Sequence, residues 1–176
     1  MFLLDAPSSM PAINGVDIPR QLYWACTDPA PLGGMRNPER GAPPWMQLFN
    51  AGFHSVVNLL TTVPPYDPYP LEIAVALPLQ DLVGGEVPAA PETESRRIQE
   101  TAHHIYCSLV EEHKGVLIHC ESGTGRTGTV MGAVLKLCGW ETDRVLTALN
   151  RIHQERGKGG WPESQWQAEL VERMPA

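Results

Sequence analysis

The sequence predicts a single α/β domain, a twisted and mostly parallel sheet of four to five strands flanked by helices. Three observations carry that prediction. The apolar run Val116-Leu117-Ile118 is bounded by Lys114-Gly115 and Gly123, as a short buried strand is, and beyond it Val130, Ala133, Val134 and Leu137 follow the spacing of a helix face. A second helix-and-strand unit, Trp45 to Gly52 and then His54 to Leu60, stands earlier in the chain. The 17 prolines gather in residues 7–44 and 64–91 and are missing from 92–161, so loops crowd the first half and helices the second. A length of 176 residues supplies one substantial core and is short for two domains.

In chain order, residues 1–19 show no periodicity and three prolines, which reads as an extended arm before a domain running from 20 to 176. Arg20 to Cys26 has the aromatic and apolar content of a first strand. Thr27 to Pro44 reads as a Gly/Pro-rich loop whose charges, Arg36 and Arg40 among them, are solvated. The helix Trp45–Gly52 and the strand His54–Leu60 come next. The run Ile73 to Leu79 is a further strand, and it delivers the chain to Gln80-Asp81 and the glycine-containing turn behind them. Residues 91–113 read as a long helix, with Pro91 in its first turn, Glu92 and Glu94 near its positive end, and Ile98, Ala102, Ile105 and Leu109 on its buried face. Adjacent His103 and His104 point in different directions on such a helix, which leaves them, with His113, at the surface. Two helices close the chain, Asp143 to Glu155 and Pro162 to Met174, with a glycine-rich turn at 156–160 between them.

Composition excludes several functions. The formal charge is −7 and no Lys/Arg-rich run is present, which argues against nucleic-acid or anionic-membrane partners. The four cysteines, Cys26, Cys107, Cys120 and Cys138, form no C-x-x-C pair and are too sparse for a disulfide framework or a zinc site. The opening Met1-Phe-Leu-Leu-Asp5 is too short an apolar run for a signal peptide, and no segment reaches the length of a membrane span. The expectation is a monomeric protein of a reducing, cytoplasmic compartment.

The chemistry gathers on His119-Cys120-Glu121-Ser122-Gly123-Thr124-Gly125-Arg126-Thr127-Gly128. Five residues lie between Cys120 and Arg126, enough for the backbone to curl its N–H groups around one tetrahedral oxyanion at a helix N-terminus. Gly123 and Gly125 allow the curl. Arg126 offers a planar, permanently charged fork to two phosphate oxygens. A thiolate at Cys120 would be stabilised there by the helix end and the guanidinium, and so be nucleophilic. The phosphate-binding set is therefore Glu121 to Arg126, backbone and guanidinium together.

This string resembles the signature loop of the cysteine-based protein tyrosine and dual-specificity phosphatase superfamily. The likeness spans roughly residues 20 to 173 and is nearest the small, atypical dual-specificity members. It implies a protein phosphatase acting on phosphotyrosine, with phosphoserine and phosphothreonine second, through a cysteinyl-phosphate and without a metal or other cofactor. Asp81, 39 residues before Cys120 at the end of a strand, resembles the family's general acid, with Glu86 in reserve. The resemblance gives His119 a hydrogen bond that tunes the thiolate. It gives Thr127 a hydroxyl on the sulfur, and Gln165, ahead of Gln167, the orientation of water. Arg126-Thr127 leans toward the tyrosine phosphatases, since many dual-specificity loops carry serine after the arginine. A phosphoinositide phosphatase would be expected to place lysines in the loop, where this chain has Glu121. A catalytically weak phospho-binding module would gain nothing from the nucleophile. A sulfurtransferase would also use a loop cysteine, but Asp81 and the spacing to the arginine fit it poorly.

Overall fold

The computed structural model describes residues 3–40, 42–62 and 66–175, with the side chain of Arg40 left out. Five strands form one sheet: β1 (Leu22–Cys26), β2 (Leu32–Met35), β3 (Phe53–Asn58), β4 (Glu72–Ala76) and β5 (Gly115–His119). Their spatial order is β1-β2-β5-β3-β4, with β1 antiparallel to β2 and every other pairing parallel. The helices are α1 (Trp45–Asn50), α2 (Pro91–Val110), α3 (Gly125–Leu137), α4 (Thr142–Glu155) and α5 (Gln165–Arg173). The single α/β domain with a mostly parallel sheet is the one the sequence predicts.

Both faces of the sheet are covered, so its residues divide by parity. Tyr23, Ala25, Val116 and Ile118 join the large core under α2 to α5. Leu22, Trp24 and Leu117 face the smaller core, with Leu48 of α1 and Leu3 and Ile13 of the N-terminal arm. The arm is thus built into the structure. Leu3 and Leu4 are fully buried, the Leu3 N–H donates to the Ala25 carbonyl at 2.8 Å, and Arg151 and Arg144 of α4 bond the Leu4 carbonyl and the Asp5 carboxylate. Isolated apolar residues between prolines gave no periodic signal for this.

Strand β2 lies where the sequence reads as a loop. Its Gly33-Gly34 pair has a packing cause, because a Cβ at Gly34 would collide with the Tyr23 ring crossing over it from β1. Strand β4 is shorter than its apolar run and is mostly exposed at the sheet edge. Past its end, Leu77 N–H still bonds the Asn58 carbonyl at 2.8 Å and Leu79 N–H the Leu59 carbonyl at 3.3 Å, which carries the chain alongside β3 and its continuation as far as Leu79, two residues before Asp81. Helix α2 buries Ile98, Ala102, Ile105 and Leu109 as its spacing predicts and leaves His103 and His104 exposed. Helix α3 is buried on every side from Gly125 to Lys136, the central helix under the sheet. No helix among the described residues is long and apolar enough to cross a membrane.

Candidate active site

The parallel strands β5 and β3 end together at one edge of the sheet, with the extension of β4 beside them, which is where open α/β sheets bind ligands. From the end of β5 the chain runs through Cys120 into the loop 121–124 and then into α3. Gly123 sits at φ +71°, and a Cβ there would collide with the Met35 carbonyl at the end of β2, so only glycine makes this bend.

The direction of the loop's peptides is fixed from outside. The Glu121 carbonyl accepts from Asn37 N–H at 3.0 Å, and those of Ser122 and Gly123 accept from Arg156 Nη2 and Nη1 at 3.1 and 2.7 Å. The Thr124 carbonyl accepts from Gly128 N–H at 2.6 Å, and that of Gly125 from Thr129 Oγ1 at 2.8 Å and Trp161 Nε1 at 3.2 Å. In a trans peptide the N–H of the next residue points opposite to the carbonyl. The N–H groups of residues 122 to 126 are therefore directed away from these donors, toward the inside of the curl. A curl of this kind at a helix N-terminus is suited to holding an anion.

The side chains named from the sequence assemble around it. Cys120 is buried, and Thr127 Oγ1 donates to its Sγ at 3.1 Å. Arg126, itself buried, donates from Nη2 to Asp81 Oδ2 at 2.9 Å, so the carboxylate beyond the β4 extension meets the arginine directly. Glu86, on the same loop, is exposed. His119 is fully buried and its Nε2 is hydrogen-bonded to the hydroxyl of Tyr66, whose ring stacks on Trp45 at 5.5 Å. Burial pulls the His119 pKa down to about 4 against the opposing pull of the Cys120 backbone, so the imidazole is neutral. The Glu121 side chain is turned aside, with Oε2 accepting from Asn37 Nδ2 at 2.9 Å, and Asn37 Nδ2 also reaches Glu39 Oε2 at 3.2 Å.

Gln165 is not brought to the loop. Its side chain is exposed, donates to Glu169 Oε1 at 2.7 Å, and lines a groove of about 820 Å³ with Gly85, Val87, Arg96, Trp166 and Arg173; neither Cys120 nor Arg126 lines that groove. The cause is helix geometry. At the N-terminus of α5 the buried Gln167 reaches back, as in a capping box, to accept with Oε1 from the N–H groups of Glu163 (2.8 Å) and Ser164 (3.3 Å), and that register turns position 165 outward. Arg40 lies outside the described side chains, while the backbone of Arg36 backs the loop, 2.8 Å from where a Gly123 Cβ would stand.

Three participants escaped sequence reading. Glu163 lays its carboxyl against Gly125, where any Cβ would collide with Oε2. Burial and the neighbouring Asp81 raise its pKa, against Arg126, which lowers it. Trp161 holds that segment in place by bonding the Gly125 carbonyl and packing against Gly128. The third is Arg156, buried behind the loop. The string Trp-Pro-Glu ahead of α5 was the available signal for Glu163; for Arg156, within a glycine-rich turn, the sequence held none.

Comparison with known proteins agrees with this fold. The chain resembles Tk-PTP in its active form at 25% identity and a TM-score of 0.56, over 81% of this chain and 90% of that one. It shares its fold with a mouse putative dual specificity phosphatase crystallised with zinc tungstate, at 17% identity and a TM-score of 0.63 over 94% and 93% of the two chains. It also shares the fold with P. aeruginosa TpbA in complex with phosphotyrosine, at 17% identity and a TM-score of 0.61 over 96% and 91%. No curated protein matches the chain significantly. A family model matches residues 33–139, from β2 through the loop to the end of α3, and with that match the chain belongs to the Tc-R-P family, described as the DSP-PTPase phosphatase of polymorphic toxin systems.

Proposed function

We propose that the protein is a cysteine-dependent phosphatase of phosphoprotein monoesters, phosphotyrosine first and phosphoserine or phosphothreonine second. The observation that carries this reading is the loop 120–126, whose carbonyls at 121–125 are all engaged by donors, which leaves the amides that follow them turned away from those donors and able to meet a phosphoryl group beside Cys120. The phosphoryl oxygens take the amides and the Arg126 fork, which displaces Asp81 from the arginine toward the leaving oxygen, where, beside the substrate's negative charge, its carboxylate takes up a proton from solvent. Cys120 Sγ attacks phosphorus, the S–P bond forms, the ester P–O bond breaks, and Asp81 gives its proton to the departing oxygen. Water then attacks the cysteinyl-phosphate and the S–P bond breaks. The proton from water goes to a carboxylate at the mouth, where Asp81 and Glu163 both stand. Thr127, already on the sulfur, stabilises the departing thiolate.

No resident metal or cofactor enters this scheme. The absence of lysine between Cys120 and Arg126 favours a singly phosphorylated group over a polyphosphorylated inositol. The test is hydrolysis of p-nitrophenyl phosphate and of a phosphotyrosyl peptide, with a chelator present. Turnover is expected from the wild-type protein and a loss of at least about 10³-fold from Cys120→Ser, as for removal of a nucleophile. A Cys120→Ser protein that retains wild-type turnover would overturn the reading.

A further inference from the structure

Arg156 is the most heavily engaged side chain of the site, and the chemistry above does not use it. It leaves the last turn of α4, is only 4% exposed, and spends every nitrogen of its fork on a neighbour. Nη1 donates to the Gly123 carbonyl at 2.7 Å and meets His153 Nδ1 at 2.9 Å. Nη2 donates to the Ser122 carbonyl at 3.1 Å and that of Arg20 at 3.3 Å, and Nε to that of Pro19 at 3.0 Å. The Tyr23 ring lies under the guanidinium, 4.7 Å from its carbon.

The makeup of this shell is its notable property. All its partners are neutral: four carbonyls, an aromatic face, and an imidazole that must keep Nδ1 unprotonated to accept the bond. His153 can do so because burial, then Arg156 itself, lowers its pKa well below the usual histidine value. Among the described residues no carboxylate pairs with Arg156. Burying a guanidinium without a counter-charge is costly. Burial lowers the Arg156 pKa, and negative charge on Tyr23 or, across the loop, on Cys120 would oppose that. The cradle thus has one arginine at its mouth and a second, fixed positive charge at its back, tied to two of the five carbonyls that orient its amides.

We propose that Arg156 is a positioning residue for the phosphatase reaction: its fork holds the peptides of Ser122 and Gly123 in the anion-binding curl and keeps an uncompensated positive charge behind the phosphoryl site. This rests on the function proposed above. A merely structural role, tying residues 19 and 20 to α4, makes a different prediction, since it would lower thermal stability and leave the folded protein's anion affinity alone.

The experiment compares wild-type protein, Arg156→Lys and Arg156→Ala in three readouts: tungstate affinity by calorimetry, kcat and KM for p-nitrophenyl phosphate, and Tm. Lysine keeps the charge and loses the fork. Arg156→Lys is expected to fold, to bind tungstate about 10-fold more weakly and to lose about 10-fold in kcat/KM, and Arg156→Ala about 100-fold in each, on the scale of a loop displaced by an ångström. Variants that match wild type in tungstate affinity and kcat/KM, whatever their Tm, overturn the proposal. Failure of Arg156→Lys to fold also overturns it by assigning the residue to stability. A wild-type protein that neither binds tungstate nor turns over refutes the proposed function and takes this inference with it, an outcome separable from a change confined to the variants.

Discussion

At the scale of single residues the site contains two kinds of group, those contiguous with the nucleophile and those brought from far away. Cys120, Arg126 and Thr127 were legible because one strand-loop-helix string contains them, and the backbone path leaves little choice about where they go. Asp81 was legible because a strand ends just before it. Glu163, Arg156 and Tyr66 were not, since nothing in their local spacing says which side of the sheet they reach. Gln165 shows the reverse failure: a residue of the right type was turned outward by the register of its own helix.

His119 offers a test at this scale. Its folded pKa is about 4, against about 6.5 for an unperturbed histidine, so below pH 6.5 the unfolded chain binds a proton that the folded chain refuses. Stability is therefore fully present above pH 6.5 and falls as pH drops toward 4. The group is faced by Tyr66, Arg126 and Glu121, and His153 adds a second contribution of the same sign. Urea unfolding is expected to show wild type losing about 3 kcal/mol more than His119→Asn across that window. Equal losses in the two proteins would mean that His119 does not supply the slope.

Among the elements, those with strong periodicity were readable and those whose signal is tertiary were not. Helix α2 presents four buried residues at helical spacing and was placed almost to its ends. Strand β2 has two glycines in four residues, a loop signal taken alone, and becomes a strand because the Tyr23 ring needs the space that Gly34 leaves. Tyr23 then packs edge-to-face on His153 at 5.2 Å and lies under Arg156, so this one gap connects the sheet to the back of the catalytic loop. Gly34→Ala must push the ring aside. It is expected to cost about 1–3 kcal/mol of stability, as overpacking does, and to reduce kcat/KM even at temperatures where the variant is fully folded. Loss of stability with unchanged kinetics would show that the chain from Gly34 to the loop does not transmit.

For the whole molecule, the architecture follows from alternation in the sheet and from where the helices fall, both visible in the residues. The N-terminal arm was legible only as an absence of periodicity, yet its leucines serve both faces of the core. Charge is the other property of the whole. A chain of formal charge −7 carries the proposed dianion site, and in the structure the Arg126 fork is already met by Asp81 with Glu163 beside it.

That clasp has a kinetic consequence for the encounter with substrate. A cleft lined by one sign of charge draws its ligand in from a distance, and dissolved salt then slows association. Here the Arg126 fork is paired with the Asp81 carboxylate until contact, the chain carries a net charge of −7, and Arg156 is enclosed behind the loop, so the field that an approaching phosphate meets at a distance is weak. Between roughly 20 and 200 mM NaCl, where the screening length falls from about 20 Å to about 7 Å, kcat/KM for p-nitrophenyl phosphate is expected to stay level or rise. A fall of several-fold would reveal a steering field that the Asp81–Arg126 pair does not quench. The chemistry, on this account, is fast only for a substrate that something other than long-range attraction delivers.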